Sequence, residues 1–340
     1  MPRVSVIIPT YNRAHIVGEA IESVLAQTYQ DFEIIVVDDA STDNTREVLA
    51  GYAAHHPDKI RVIYRETNGG AGAARNDGIR ASKGEYISFL DSDDLYLPHR
   101  LQVAVDALDA NPSFGGAYAD LRRVAPDGAV LSSWLGEAGH RASGWIFKQQ
   151  LTRGGVATDT MTVRRQCFGE VGLFDESLRR CQDGHMALRL THRYPFLCIP
   201  EVVAVWRFRQ LTTEQALAAD ESLWMALMAV LRGIPDLTEG ERRLVKLQVI
   251  SAMAKQMARL RRLGLSWRAR QTHRMAGGMI RTLPTGGRVW AHVVMAAHHP
   301  VVVPLANRVR RVRDLYLAAR SARRASLVGV PRRGGVTHRE

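Results

Sequence analysis

The stretch YISFLDSDDLYLP (residues 86–98) joins a short apolar run to three closely spaced carboxylates, those of Asp91, Asp93 and Asp94. Short runs rich in aromatic and β-branched residues are typical of buried strands, so the sequence predicts a strand that ends where the acids begin. Two like charges about 4 Å apart repel by roughly 4 kcal/mol near a protein surface. The acidic cluster is therefore either a solvated turn or a binding place for something cationic, and the rest of the chain decides between the two.

Three more runs of the same kind precede this one, with helical patterns between them. The runs are VSVII (4–8), FEIIVV (32–37) and RVIYR (61–65), and helices are predicted over 14–27 and 43–54, after the glycines at 69–72 and near Pro98. This alternation predicts an α/β fold with a mostly parallel sheet flanked by helices, in which ligands bind at the carboxyl ends of the strands. Each of those ends carries a polar motif, namely TYNR, DDASTDN, ETNGGAG and DSDD.

Beyond the first four predicted strands, the predicted secondary structure changes twice along the chain. Further strands are predicted near 114–119, 129–134, 158–163 and 196–206, with a helix at about 183–193, and from about 213 the pattern becomes helical. The predicted organisation is an α/β domain over 1–212 (halves 1–120 and 121–212), a basic helical region over 213–325 and a disordered tail over 326–340, which is rich in Gly, Pro and Arg.

The composition is that of an ordinary globular protein, with 46% hydrophobic and 24% charged residues. The three cysteines (Cys167, Cys181 and Cys198) show no CxxC spacing, which predicts neither a disulfide framework nor a zinc site and favours a reducing compartment. No window has the roughly 18 uninterrupted apolar residues of a membrane span, and no signal peptide is recognisable. We therefore expect a cytoplasmic protein.

The net charge of +12 is concentrated in the second part of the chain. Residues 1–214 carry 23 Lys and Arg against 27 Asp and Glu, whereas residues 215–340 carry 23 against 7. Arginines alternate with apolar residues in RLRRLGLSWRARQTHRM (259–275) and NRVRRVRDLYLAARSARRA (307–325). This composition favours docking on an anionic membrane surface, with a solvated bundle face as the alternative. No RNA- or DNA-binding motif accompanies the charge, so no nucleic-acid partner is expected.

Acidic residues follow two of the predicted strands. Asp38 and Asp39 come after FEIIVV, and the DSDD cluster comes after YISFL. Carboxylates are preferred ligands of Mg²⁺ and Mn²⁺, which keep waters or substrate phosphates as their other ligands. Strand ending or helix capping would explain one such pair, but two pairs at neighbouring strand ends favour a metal–diphosphate site.

The glycines of NGGAGAARNDGI (68–79) admit a second interpretation, because they partly match a dinucleotide-binding fingerprint. However, Arg75 stands at the third glycine position, and the preceding strand is the third of the chain rather than the first. The incomplete match disfavours a nicotinamide or flavin enzyme.

The strand-end motifs are SVIIPTYNR, VVDDASTDNT, GAGAARNDGI and YISFLDSDD. In their order and spacing they resemble the nucleotide-sugar-binding half of family 2 inverting glycosyltransferases, which have the GT-A fold. The resemblance covers roughly residues 3–210. It implies that Asp39 contacts the nucleobase, commonly uracil, and that Arg75 lies beneath the nucleoside. The Asp-x-Asp element would hold the ribose, the metal and the diphosphate, with Asp93 as the metal ligand and Asp91 as the alternative ligand. The residues implied to contact the donor are Pro9, Thr10, Tyr11, Arg13, Asp39, Arg75, Asp91, Ser92 and Arg209.

The resemblance continues in GLFDESLRRCQDGHMALRL (172–190), which is similar to the family's segment that carries the catalytic base. It implies that Asp183 takes a proton from the acceptor hydroxyl, although the helix macrodipole alone would also favour an acid there. Arg209 stands where the family often has a His near the metal or diphosphate. Arg cannot ligate a metal, so we expect Arg209 to neutralise the diphosphate directly. His185 replaces an acidic residue, and we expect it to be a polar surface residue.

The sequence therefore predicts a Mg²⁺- or Mn²⁺-dependent inverting glycosyltransferase. The expected donor is a nucleotide-diphosphate sugar, with UDP as the expected nucleotide, and the expected acceptor is a hydroxyl of a glycan or lipid-linked molecule in cell-surface polysaccharide or glycoconjugate synthesis. The expected location is the cytoplasm, peripheral on the inner face of the cell membrane. One alternative, a sugar nucleotidyltransferase, is disfavoured because the long Gly/Arg/Lys loop near the N-terminus is missing. A degenerate binding module is disfavoured by the retained acids.

Overall fold

The computed structural model describes residues 1–139 and 141–297. The chain divides into two compact units, Met1–Met253 and Ala254–Glu340, and the division lies within a long helix, Glu239–Arg262. The predicted domain boundary at 212/213 stays a prediction. The predicted tail over 326–340 and residues 298–325 of the predicted basic region lie outside the described residues.

The first half of the sheet is parallel, as expected. Its strands lie in the order β3-β2-β1-β4, and every neighbouring pair among them is parallel. All seven residues of β1 are buried because helices cover both faces of the sheet. The elements of this half are β1 (Val4–Thr10), α1 (Val17–Leu25), β2 (Phe32–Asp38), α2 (Thr45–His55), β3 (Ile60–Tyr64), α3 (Ala71–Ala81) and β4 (Tyr86–Phe89).

The second half of the sheet is mixed. It continues in the order β4-β8-β6-β9-β5, with β7 paired to β6; β8 runs antiparallel to both β4 and β6, whereas β6 and β9 are parallel. The elements are β5 (Leu95–Tyr96), α4 (Arg100–Asp109), β6 (Gly116–Val124), β7 (Val130–Ser133), α5 (Trp134–Ala138), α6 (Phe147–Arg153), β8 (Thr162–Arg164), α7 (Cys167–Val171), α8 (Gln182–Arg193) and β9 (Phe196–Arg207).

A buried arginine joins α4 to β8. Arg100 is 1% exposed; its guanidinium donates to Thr162 Oγ1 at 2.6 Å and to the Met161 carbonyl at 2.9 Å, and it lies 4.5 Å from the centre of the Tyr96 ring. A buried charge is tolerated only when its donors are satisfied, as they are here. Arg100 thus holds the antiparallel strand β8 in place beside the parallel half of the sheet.

Within the described residues, the chain from Thr213 to Ala297 is mainly helical, as predicted for this part. The first helix begins with a capping box, in which the Thr212 hydroxyl accepts from the Gln215 N–H and the Gln215 side chain accepts from the Thr212 N–H. Among the described residues no helix has the length and apolar character needed to cross a membrane. The helices are α9 (Thr213–Gly233), α10 (Glu239–Arg262), α11 (Ser266–Arg281) and α12 (Thr285–Ala297).

Candidate functional site

The loops that follow β1 and β2 are hydrogen-bonded to each other. Asn12 has a positive φ of 51°, which Asn tolerates better than most residues, and its Oδ1 accepts from the Thr42 N–H at 2.8 Å. The Arg13 N–H donates to Thr45 Oγ1, also at 2.8 Å. Pro9 and Thr10 are buried at the end of β1, whereas Tyr11 is 44% exposed. The interlocked loops hold Tyr11 and Arg13 above the strand ends.

Asp39 is buried and organises the glycine loop before α3. Its Oδ1 accepts from the Gly69 N–H at 2.9 Å and from Arg65, and its Oδ2 accepts from the Gly70 N–H at 2.7 Å. Gly70 has a φ of 87°, a left-handed conformation that favours glycine. A carboxylate has about four lone-pair positions, so the three donors leave one acceptor position on Oδ2.

Arg75 lies beneath the strand ends and is 2% exposed. It donates to Asp91 Oδ1 at 2.5 Å and stacks 5.5 Å from the centre of the Phe174 ring, while its Nε and Nη1 have no hydrogen-bond partner within the described protein. Burial opposes its charge, but the carboxylates of Asp91 and Asp183 outweigh burial and raise its pKa. Arg75 therefore connects electrostatically the two ends of the predicted site.

Two arginines from distant loops meet at one carboxylate. Arg13 Nη2 lies 3.6 Å and Arg209 Nη2 lies 3.5 Å from Asp93 Oδ2. Arg13 follows β1 and Arg209 follows β9, so the sheet brings together residues 196 positions apart in the sequence. Ser92, between the two acids, is buried. The pairing puts two positive charges beside the carboxylate that the resemblance assigns to the metal.

Three carboxylates form a tight cluster behind this surface. One oxygen from each of Asp91, Asp94 and Asp159 lies within 4.8 Å of the other two. Asp159 Oδ1 accepts from the Asp91 N–H at 2.8 Å, and Asp94 Oδ1 accepts from the Arg207 N–H at 2.8 Å. Burial, and then the charge of Asp159, raises the pKa of Asp94; burial, and then the charge of Asp91, raises that of Asp159. Burial and mutual repulsion thus oppose the charged form of both carboxylates.

The exposed carboxylates are the ones suited to a metal. The side chains of Asp91 and Asp93 are 40% and 25% exposed, whereas Asp94 and Asp159 are nearly inaccessible. An all-oxygen donor set open to solvent fits a hard divalent cation that keeps waters and binds phosphate oxygens. Asp94 does not cap the next helix, because α4 begins at Arg100 and the preceding His99 makes no side-chain cap.

Asp183 lies in the first turn of α8, as expected, and is exposed. Its Oδ2 accepts a 3.5 Å hydrogen bond from Thr158, which is in the same short 3₁₀ turn as Asp159. This turn places Asp183 near the acidic cluster. An exposed carboxylate at this position can accept a proton from a bound hydroxyl.

The expectation that His185 is a surface residue was wrong. It is 4% exposed, and neither ring nitrogen has a hydrogen-bond partner within the described protein. Burial, followed by the charge of Arg189, lowers its pKa to about 4. His185 borders a cavity of about 350 Å³ lined also by Asp175, Arg189, Ala229, Arg232 and Gly233. The helix turns His185 away from Asp183 because positions two apart lie on different faces.

The structure brings Asp39, Arg75, Asp91 and Asp93 to one edge of the sheet, as the strand-end motifs predicted. It also reveals partners that the sequence reasoning missed: Arg65 for Asp39, and Asp159 for Asp91. Asp159 lies in a segment predicted as a strand, and nothing in its local sequence indicates a contact with residue 91. The three cysteines are free.

Comparison with known proteins relates the chain to transferases. Residues 5–162 match the sequence model of the family described as "Glycosyl transferase family 2". An uncharacterized glycosyltransferase of Rickettsia typhi (strain ATCC VR-144 / Wilmington) is 49% identical over 193 residues, which are 54% of this chain and 56% of the relative. One from Rickettsia felis (strain ATCC VR-1525 / URRWXCal2) is 37% identical over 195 residues, 54% of this chain and 30% of the relative. The chain thus spans between about a third and a half of the length of these curated relatives.

Solved structures share the fold. S. aureus TarS (residues 1–349) superposes with a TM-score of 0.65 at 18% identity, covering 92% of both chains, and its complex with UDP-GlcNAc gives a TM-score of 0.58 at 19% identity, covering 76% of this chain and 81% of that one. The mannosyltransferase PcManGT of Pyrobaculum calidifontis, in complex with GDP-Man and Mn²⁺, gives 0.58 at 22% identity, covering 92% of this chain and 88% of that one. At these identities the likeness concerns the fold, which is that of GT-A glycosyltransferases.

Proposed function

From the match of residues 5–162 to glycosyl transferase family 2, we propose that the protein is an inverting glycosyltransferase that uses a nucleotide-diphosphate sugar. The observation that carries the proposal is the convergence of Asp39, Arg75, Asp91 and Asp93 at one sheet edge, with Asp183 electrostatically linked to them through Arg75. Each of these side chains supplies one function that the reaction needs.

The donor is proposed to be a UDP-sugar. The remaining acceptor position on Asp39 Oδ2 suits the N–H of a uracil ring, and the two unpartnered donors of Arg75 suit oxygens of the nucleoside. The UDP-GlcNAc and UDP complexes of TarS support this choice, whereas the GDP-Man complex of PcManGT makes guanine the competing nucleobase. The test below therefore compares both nucleotides.

We propose that Asp93, with Asp91 as the alternative ligand, holds Mg²⁺ or Mn²⁺. The open carboxylate set supports the proposal, as does the Mn²⁺ in the PcManGT complex. Such a cation would supply positive charge to the leaving diphosphate. Arg13 and Arg209 are placed to add two guanidinium groups at the same position.

The chemistry is proposed to be one in-line displacement. Asp183 takes the proton of the acceptor hydroxyl while the acceptor oxygen forms a bond to C1 of the sugar. The bond from C1 to the phosphate oxygen breaks, and its electron pair leaves with the nucleoside diphosphate. Attack on the face opposite the leaving group inverts the anomeric centre. A positioned base of this kind contributes typically about 10²- to 10⁴-fold in rate.

The acceptor is proposed to be a hydroxyl of a glycan or lipid-linked molecule used in cell-surface polysaccharide or glycoconjugate synthesis. The basic helical region supports a location on the cytoplasmic side of an anionic membrane, without a nucleic-acid partner. The rival assignment, a sugar nucleotidyltransferase, would release pyrophosphate from a nucleoside triphosphate and a sugar phosphate, and so differs in its products.

The test is donor binding followed by turnover. UDP with Mn²⁺ should raise the melting temperature of the full chain more than GDP does, since a ligand that binds only the folded state stabilises it by mass action. Asp183→Asn should retain UDP binding within about twofold yet lose at least about 100-fold in UDP-sugar turnover. Absence of nucleotide stabilisation would overturn the transferase proposal. An Asp183→Asn variant with near-normal turnover would overturn the base assignment alone.

A further inference from the structure

The described part of the second compact unit, Ala254–Ala297, carries formal side-chain charge of only one sign. The sequence has no Asp or Glu from residue 242 to residue 313, and the described part of this unit, Ala254–Ala297, contains nine Lys and Arg residues. Solvent-exposed helices of soluble proteins usually mix both signs, which provides pairs between positions three or four apart. A segment that supplies no carboxylates of its own must find its counter-charges elsewhere, and this favours an anionic partner.

Helix α11 sorts its residues onto two faces. The buried residues Ala269, Thr272, Ala276 and Ile280 recur at steps of three and four, as one face of a helix does. The Thr272 hydroxyl is 3.4 Å from Gln256 Oε1 of α10, which is also buried. This contact and the apolar positions fix the rotation of α11 about its axis within the second unit.

The opposite face of α11 presents Trp267, Arg270, Arg274 and Arg281, which we call the α11 stripe. These residues stand at i, i+3, i+7 and i+14 and therefore share one side of the helix over about 21 Å of its length. All four are exposed, and Trp267 is 61% exposed. The stripe is thus an outward-facing row of three guanidinium groups with an indole at its N-terminal end.

Apolar side chains of the same unit are also exposed. Met275 of α11 is 46% exposed, and Val289 and Trp290 of α12 are 61% and 43% exposed. An indole suits the boundary between lipid headgroups and acyl chains, whereas guanidinium groups suit the lipid phosphates. Nucleic acid would also satisfy the cations, but it offers little to exposed aliphatic side chains such as Val289. The combination of charge and apolar exposure favours a lipid surface.

We propose that the α11 stripe is a docking surface for a membrane rich in anionic phospholipids, with the three arginines at lipid phosphates and Trp267 at headgroup depth. The proposal deepens the membrane partner of the proposed function and rests on that function only for its biological purpose, since docking itself requires no donor. Each basic residue near an anionic surface contributes roughly fivefold to partitioning at low salt. The three arginines together should therefore contribute about 100-fold.

The experiment is co-sedimentation of the full chain with vesicles made of equal parts phosphatidylcholine and phosphatidylglycerol, compared with pure phosphatidylcholine. Wild type should bind the anionic vesicles and release them at high salt. The triple variant Arg270→Gln, Arg274→Gln, Arg281→Gln should bind about 100-fold more weakly. The matched control changes three exposed arginines of the first unit, Arg153, Arg193 and Arg232, to Gln. Its affinity for the anionic vesicles should fall by no more than about tenfold.

A second readout addresses the indole. Tryptophan emission should shift to shorter wavelength when vesicles are added, and Trp267→Phe should remove most of that shift. The docking proposal is overturned if wild type ignores anionic vesicles at low salt, if both triple variants lose affinity equally, or if a short DNA duplex competes the protein off the vesicles. UDP-induced stabilisation, measured on every variant, reports folding and the donor site separately. Vesicle binding without UDP binding would therefore refute the transferase proposal and leave the docking proposal standing.

Discussion

Replacing Arg209 by Ala should change the binding of nucleotide and of metal in opposite directions. In the structure Arg209 Nη2 and Arg13 Nη2 lie 3.5 Å and 3.6 Å from the same oxygen, Asp93 Oδ2. Without a donor, these guanidinium groups neutralise the carboxylate that is proposed to hold the metal. With a donor, the diphosphate would replace Asp93 as the anion that these guanidinium groups contact. Arg209→Ala removes one of the two cations and leaves Asp93 more available.

The expected magnitudes follow from the contacts. A hydrogen bond from a guanidinium to phosphate is worth about 1.5–3 kcal/mol. Because the side chain of Arg209 is half-exposed, its contribution should lie at or below the lower limit of this range. UDP binding in the presence of EDTA should therefore weaken about tenfold. An exposed ion pair is worth about 0.2–1 kcal/mol, so freeing Asp93 should strengthen Mn²⁺ binding in the absence of nucleotide by up to about fivefold.

The assay is isothermal titration of UDP in EDTA, together with titration of Mn²⁺ followed by electron paramagnetic resonance without nucleotide. Arg193→Ala is the matched control, because Arg193 also forms an exposed ion pair, with Glu170 at 2.7 Å, but lies at the other end of α8 from Asp183. A misfolded variant would bind both ligands less well, whereas the proposed exchange of partners moves the two affinities apart. Unchanged UDP affinity in EDTA would refute the role of Arg209, and unchanged or weaker Mn²⁺ binding would refute the competition at Asp93.

Two further predictions concern stability. Arg100→Met should lower the free energy of unfolding by about 3 kcal/mol in urea titrations, because the hydroxyl of Thr162 and the carbonyl of Met161 lose their buried donor; a loss no larger than that of the exposed control Arg80→Met would contradict this. The folded-state pKa of His185, about 4, lies below the 6.5 of a free imidazole, so the unfolded chain takes up the extra proton and stability falls as the pH drops from 6.5 towards 4. His185→Leu should therefore remove about 2 kcal/mol of the stability loss between pH 7.5 and pH 5, with the exposed His15→Gln as control, and an unchanged pH profile would show that His185 is not responsible.

The predictable part of the site lies at the strand ends. Asp39, Asp91 and Asp93 could be placed near one another because each lies within three residues of the end of an apolar run, and the carboxyl ends of parallel strands meet at one edge of a sheet. Asp183 was likewise expected at the start of a helix, and α8 begins at Gln182. Local periodicity and chain order were sufficient for these positions, since neither depends on a contact between distant segments.

The partners of those acids were not predictable in the same way. Asp159 bonds to the backbone of Asp91 across 68 positions, and His185 is enclosed by the packing of α9 against α8 rather than by any apolar pattern of its own. Arg100 is buried although it follows Pro98 and His99 in a polar turn. Burial of a polar side chain depends on whether distant donors and acceptors satisfy it, and hydrophobic periodicity carries no information about that.

By itself, the sequence determined the alternation of strands and helices, the acidic ends of two strands and the excess of positive charge after residue 214, because each is a local property of composition and spacing. Only the tertiary structure decided which cation neutralises which acid: Arg75 for Asp91, and Arg13 with Arg209 for Asp93. It also decided which face of α11 is exposed. The physical reason is that charges interact over a few ångströms in space, and the distances between residues far apart in the sequence are set by packing.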